Sequence, residues 1–301
     1  MRVNEGIFRD ILRLIVWFPI RWLIKIIPVD LSFFLFKLMG DLHFLVGDGK
    51  KRRLLYNFRN FSNLDKNAVQ TARRYYELHY LDRLHIFIYP RLTTIQQVKK
   101  YVYFANIELL ERELEKGKGV LLIQPHFGPV QITLLSLALY GYHPIQIGFP
   151  SNKGLSKIGR SIAFRYRLKY EAFLPAPIIS ASGYLGMVYK HLRNGGVVLT
   201  TGDGAGGDIF LGDQRKFTFI GSERMFPLGP ATWAIKTGAA FVPTFIIPET
   251  HKRFKIVFED PVCGNSNNLQ SDRIYMTRRF LAITESYIKM YPHCWHFWDE
   301  I

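Results

Sequence analysis

With 301 residues, 48% of them hydrophobic and only 21% charged, the chain is too apolar for a disordered protein and suits one large domain or a domain with a small appendage. Forty Lys and Arg against 24 Asp and Glu leave a net charge of +16, a field that fits nucleic acid, an anionic membrane face or acidic ligands. Nucleic acid is set aside: there is no zinc spacing, heptad repeat or aromatic ribonucleoprotein motif, and apolar and basic residues share the same segments.

Residues 7–27 are rich in Ile, Leu, Phe and Trp, but Arg9, Asp10, Arg13, Arg21 and Lys25 break the run expected of a transmembrane span. Arg9, Arg13, Arg21 and Lys25 recur at steps of four, with Trp17 in the missing place, which on a helix makes one basic stripe on a greasy cylinder. Such a helix either covers the protein's own core or lies in a membrane interface with its cations against lipid phosphates. The width of the apolar arc and a second greasy stretch over 31–46 favour the interface. Charges within the apolar run and the lack of an A-x-A site argue against a secretory signal. The run Lys50-Lys51-Arg52-Arg53 reads either as a headgroup contact or as a solvated turn, and residues 65–91 read as one long, tyrosine-rich helix.

From Gly119 the texture changes. Residues 120–125 (VLLIQP) read as a buried strand, followed by a helix to about Tyr140, a strand over 145–149, a helix over 154–169 and a weak strand near Phe173. A helix over 182–193 should end at Asn194-Gly195-Gly196. Strands follow at VVLTTGD and KFTFIG, then a helix over 230–237, the strands AFVPTFIIP and FKIVFED, and a last helix over 272–291. Alternating strands and helices imply a mostly parallel sheet with helices on both faces, made mixed by the late strand pair. The organisation expected is membrane-associated helices over 1–48 and one catalytic domain over 49–301, its core beginning near 115. Cys263 and Cys294 lie in no metal or redox spacing, imply no disulfide framework and suit a reducing compartment.

Ligands of open α/β sheets bind beyond the carboxyl ends of strands. Two polar clusters fall there: residues 124–131 (QPHFGPVQ) and 202–208 (GDGAGGD). His126 sits where strand turns to helix, beside the small Gly128, which leaves the ring open and is expected to border the substrate. A neutral imidazole there can take a proton from an alcohol attacking a thioester, and nearby helix N–H groups could receive the oxyanion. For a lone histidine the structural role is the commoner one. GDGAGG lacks the G-K-[ST] ending of a phosphate loop and reads as a glycine loop, Gly204 included, that lets a ligand approach closely.

The motif HFGPVQ resembles the H-x4-[D/E] block of the bacterial lipid A lauroyl/myristoyl acyltransferase family. The likeness extends over most of the chain: KKRRLLYNFRNF near the amino terminus, TTGDGAGG at a strand end, FTFIGSERMFPLGPATWAIKTGAAFVPTFIIPE, which is its most specific part, and the tail YPHCWHFW. The resemblance implies a glycerophosphate-acyltransferase-like α/β/α sandwich. It also implies peripheral attachment to the cytoplasmic face of an anionic bacterial inner membrane, and direct acyl transfer with His126 as base. The donor would be acyl carrier protein or acyl-coenzyme A and the acceptor a lipid or glycolipid hydroxyl, with no cofactor and no metal. Arg160, Arg165 and Arg167 fall on one predicted helix; the resemblance points to Arg165, with Arg160, for binding donor phosphates or an acceptor headgroup. In one respect the chain departs from the pattern: the acidic position is Gln131, which can accept a hydrogen bond but carries no charge. Three readings stay open. Another carboxylate serves, Asp203 being the first candidate; Gln suffices; or the chain is a catalytically impaired lipid-binding protein.

Overall fold

A computed structural model describes residues 6–47, 49–61, 67–149, 151–183, 185–204, 212–249, 253–266 and 268–300. The first long apolar run forms β2 (Val120–Gln124), buried along its whole length at the centre of a seven-stranded sheet. The other strands are β1 (Val102–Ala105), β3 (Ile145–Gly148), β4 (Ile178–Ser180), β5 (Val197–Thr201), β8 (Ala240–Pro248) and β9 (Phe254–Phe258), in the order β1-β9-β8-β2-β5-β3-β4. All neighbours are parallel except β8 and β9, which follow one another without a helix and so pair antiparallel. The sheet is therefore mixed and mostly parallel, as the order of elements implies.

Because successive strand residues point to opposite faces, β2 feeds two separate cores. Leu121 and Ile123 join Val198 and Phe241 under α4 (Gly49–Asn60), α5 (Ala68–Leu84), α10 (Gly186–Arg193), α11 (Gly229–Thr237) and α12 (Leu269–Met290). Val120 and Leu122 join Leu199 and Val242 under α6 (Ile95–Lys99), α7 (Ile107–Glu115), α8 (Gln131–Leu139), α9 (Arg165–Glu171) and the amino-terminal helices. The result is three layers, helix on sheet on helix.

The edges of the sheet depart from the expected elements. β1 is a four-residue edge strand (VYFA) absent from the expected elements, and the weak strand lies at β4 rather than near Phe173. KFTFIG belongs to β6 (Gln214–Phe219), which pairs only with the unanticipated, charged β7 (Ser222–Pro227) in a hairpin of its own. The tyrosine-rich helix is α5, which tightens into a 3-10 stretch over His85–Arg91 containing Pro90, where a missing N–H cannot continue an α-helix.

The amino-terminal segment forms α1 (Ile7–Ile15), a π-turn (Val16–Ile20) containing Pro19, and α2 (Arg21–Ile26), followed by α3 (Val29–Val46). Its stripe is turned the other way from the orientation expected. Arg13 donates to Asp10 and to Ser156; Trp17 packs edge-on against Phe87 and stacks on Tyr166; buried Arg21 lies 4.7 Å above the Tyr166 ring. The stripe from Arg13 to Arg21 thus faces the protein, where each cation finds a partner that solvation alone would not supply. The opposite face is open and apolar: Ile7 is 83% exposed and Ile26 80%, with Phe8, Ile11, Trp22 and Leu23 between them. Leu31, Phe34, Leu38, Leu42 and Leu45 are likewise exposed along α3. Among the described residues no helix is long and apolar enough to cross a membrane. The basic run on α4 also divides, Lys50 pairing with Asp299 and Lys51 capping the Phe44 carbonyl while Arg52 and Arg53 stay exposed.

Candidate active site

Strand register brings the two polar clusters together. β2 and β5 are parallel neighbours with Gln124 opposite Thr201, and the Gly202 N–H donates to the Gln124 carbonyl. Two residues beyond each strand end, His126 therefore stands beside Asp203. Gly202 permits this approach, since a Cβ there would lie 2.5 Å from both Ile123 and Phe280.

His126 Nδ1 and Asp203 Oδ1 are 2.7 Å apart, and the His126 N–H donates to Asp203 Oδ2 at 2.8 Å. The Trp295 indole N–H donates to the same Oδ2 at 3.2 Å. The Asp203 side chain is fully buried, so its charge is held by three donors rather than by water. Its acceptance at Nδ1 assigns the ring proton there and leaves the Nε2 lone pair available. Nε2 has no hydrogen-bond partner among the described residues, and the ring keeps 26% of its surface exposed. The chain's tail completes the mounting: the His296 N–H donates to the His126 carbonyl, and the Phe297 ring packs 4.8 Å from the imidazole.

Burial alone would lower the His126 pKa, but the Asp203 charge and hydrogen bond outweigh it, and the pKa rises above the ordinary imidazole value. His296 lies behind with Nδ1 3.9 Å from Asp82; burial lowers its pKa, against the pull of that carboxylate.

Gln131 stands apart from this pair. Its carbonyl oxygen accepts from the Tyr89 hydroxyl at 2.9 Å and its amide donates to Glu171 at 2.9 Å. It opens α8 but does not face Nδ1, which Asp203 already occupies. Gly128 is closely packed: φ is +65°, its N–H donates to the Cys294 carbonyl, and a Cβ would lie 2.6 Å from the Ile246 carbonyl oxygen. Gly204 has φ +89° and open space where a Cβ would be. The rest of that loop, Gly206, Gly207 and Asp208 included, lies outside the described residues. Arg160 and Arg165 are exposed on the π-turn Gly159–Phe164 and at the start of α9, and neither side chain has a partner among the described residues. Of the N–H groups near His126 expected to receive an oxyanion, those in the turn ahead of α8 are engaged within the protein. Those of Phe127, Gly128 and Val130 go to the carbonyls of Pro125, Cys294 and Gly128.

Trp295 has no role in the expectations above, although it lies within the tail motif that carried the resemblance. A buried indole N–H needs an acceptor, and that requirement was the signal available. Tyr89 and Glu171 gave no such signal.

Fold and site together define an α/β protein whose histidine, braced by a buried carboxylate, can take a proton at the carboxyl edge of a mostly parallel sheet. The chain matches the family model described as bacterial lipid A biosynthesis acyltransferase over residues 8–299, and it belongs to that family. Among solved structures it is similar to the 1-acyl-sn-glycerophosphate (LPA) acyltransferase PlsC from Thermotoga maritima. That likeness covers 87% of this chain and 99% of the other at 13% identity, with a TM-score of 0.37. No curated protein matches the chain.

Proposed function

We propose that the protein transfers a fatty acyl chain from a thioester to a hydroxyl of a lipid acceptor, a lipid A-type glycolipid being the favoured class. The observation that carries the mechanism is the His126–Asp203 pair with Nε2 open. Nε2 takes the acceptor's hydroxyl proton while the oxygen attacks the thioester carbon. The tetrahedral intermediate collapses with breakage of the C–S bond, and the imidazolium returns its proton to the departing thiolate. Asp203 holds the ring by Nδ1–H and stabilises the imidazolium between the two steps. Glycolipid as acceptor and acyl carrier protein or acyl-coenzyme A as donor rest on family membership; the +16 charge and exposed Arg52 and Arg53 suit either anionic donor. Arg160 and Arg165, exposed and without a partner among the described residues, are proposed to meet donor phosphates or an acceptor headgroup, and Gly204 to border the acyl path.

Peripheral attachment to a membrane is supported by the open apolar face of α1, α2 and α3, which no described residue covers, and the cytoplasmic face of the inner membrane is proposed from family membership. The test is His126→Ala, assayed with membranes, radiolabelled acyl donor and lipid extraction. Transfer should disappear with thermal unfolding and vesicle binding unchanged; transfer at the parent rate would show that His126 is structural.

A further inference from the structure

The position that carries an acid in the family's motif is occupied here by an amide whose surroundings have a use for it. Gln131 is the first residue of α8, five residues beyond His126. Its amide nitrogen lies 2.9 Å from Oε1 of Glu171, a carboxylate 7% exposed that also accepts from Arg167 Nε at 2.7 Å. Its carbonyl oxygen accepts from the Tyr89 hydroxyl, which also touches His85 Nε2. Three elements meet at this one side chain: α8, the end of α9 and the 3-10 stretch after α5.

We infer that Gln131 is a positioning residue that must be neutral: its amide bridges the Tyr89 hydroxyl and the Glu171 carboxylate, and so fixes the start of α8 and the turn that carries His126. The inference rests on the reading of His126 as the base. It departs from any role of Gln131 as the histidine's partner, because that place is filled from β5 by Asp203.

The bridge uses both ends of the amide. The amide nitrogen gives Glu171 a donor while the carbonyl oxygen meets the Tyr89 hydroxyl, and a carboxylate at 131 would have no donor to offer Glu171. A carboxylate at 131 could still accept from Tyr89, but its other oxygen would face Glu171 Oε1 at hydrogen-bond distance. Two carboxylates so placed cannot both be ionised cheaply, so the pair would hold one proton with a raised pKa. The half-exposed Arg167 is the one cation bonded to Glu171 among the described residues, and it is a weak counterweight for a second charge.

The experiment compares the full-length protein with Gln131→Glu, Glu171→Gln, the double variant Gln131→Glu/Glu171→Gln and Gln131→Met. Thermal midpoint is read against pH and acyl-transfer kinetics at a temperature well below every midpoint. Gln131→Glu should unfold earlier at neutral pH. The folded pair's pKa is raised above the ordinary carboxylate value of about 4.3, so the folded state binds the extra proton and the deficit should shrink as pH falls. Its kcat should drop roughly tenfold with KM and the His126 limb of the pH profile unmoved, as expected when reacting groups are displaced rather than retitrated. The double variant exchanges amide and carboxylate, and should recover both midpoint and kcat. Gln131→Met keeps the volume without the bridge and should lose kcat without any pH-dependent deficit.

A faster or equally stable Gln131→Glu, a double variant no better than that single one, or Gln131→Met with parental kcat would each overturn the inference. Failure of the functional reading is distinguishable: His126→Ala would then transfer at the parent rate, while the pH dependence of the Gln131→Glu midpoint still decides whether the bridge exists.

Discussion

The site and the amino-terminal helices both bury charge, and they differ in what receives it. At the site, buried Asp203 is met by three directed N–H donors from two segments, and the strands beneath it set the approach to the ångström. Along α1 and α2 the inward Arg13 and Arg21 lean on one carboxylate, one hydroxyl and a tyrosine ring. The first arrangement fixes a proton's position. The second fixes only which side of a helix faces the protein, and leaves a greasy surface outward. Apolar patterning alone does not say which face is buried; the location of polar partners does.

The largest effect expected is at the site. Asp203→Asn keeps the shape but removes the charge that stabilises the imidazolium; the corresponding change in serine-protease triads costs ~10⁴ in rate, about 5.5 kcal/mol of barrier. Steady-state transfer assays on the purified variant check it. A loss of less than tenfold would place the site's working acid elsewhere and erase the contrast drawn above.

Trp17→Ala comes next. This side chain fills the space between Phe87 and Tyr166, so its removal should cost about 3 kcal/mol of stability, read from denaturant unfolding. If stability does not change, α1 and α2 are not held by their inward stripe. The smallest effect on stability is expected on the opposite face: Phe8→Ser with Ile26→Ser should shift unfolding by less than about 0.5 kcal/mol per substitution. Sedimentation with anionic vesicles should nevertheless weaken clearly for this pair, and unchanged sedimentation would mean the open face is not what meets lipid.

How far the sequence carries the reader follows the same division. β2, β5 and β8 were legible as buried, mostly apolar runs, and β3 and β9 as shorter ones interrupted by Gln146 and Lys255. β1 and β4 are edge strands of four and three residues, too short for their apolar residues to stand out, and β7 carries Glu223 and Arg224 on a hairpin outside the main sheet. His126 could be singled out from its motif, and Asp203 as the nearest alternative acid from its place at a strand end. Their meeting depends on β2 and β5 being neighbours, which no local pattern states. The orientation of the Arg13–Arg21 stripe was misread for a related reason: its partners, Ser156 and Tyr166, lie more than a hundred residues away. The tail's contribution through Trp295 and the Gln131–Glu171 bridge are likewise contacts between distant segments.

The central claim is that Asp203, not Gln131, sets the proton affinity of His126. Its most direct test is the pH dependence of kcat/KM in the parent and in Asp203→Asn. A base must be neutral to act, and the Asp203 charge holds the His126 pKa above 6.5 against the effect of burial. Parental activity should therefore rise with pH through a limb above that value. With the charge removed, burial should dominate and the residual activity should rise through a limb below it. An acid limb at the same pH in both proteins would contradict the account.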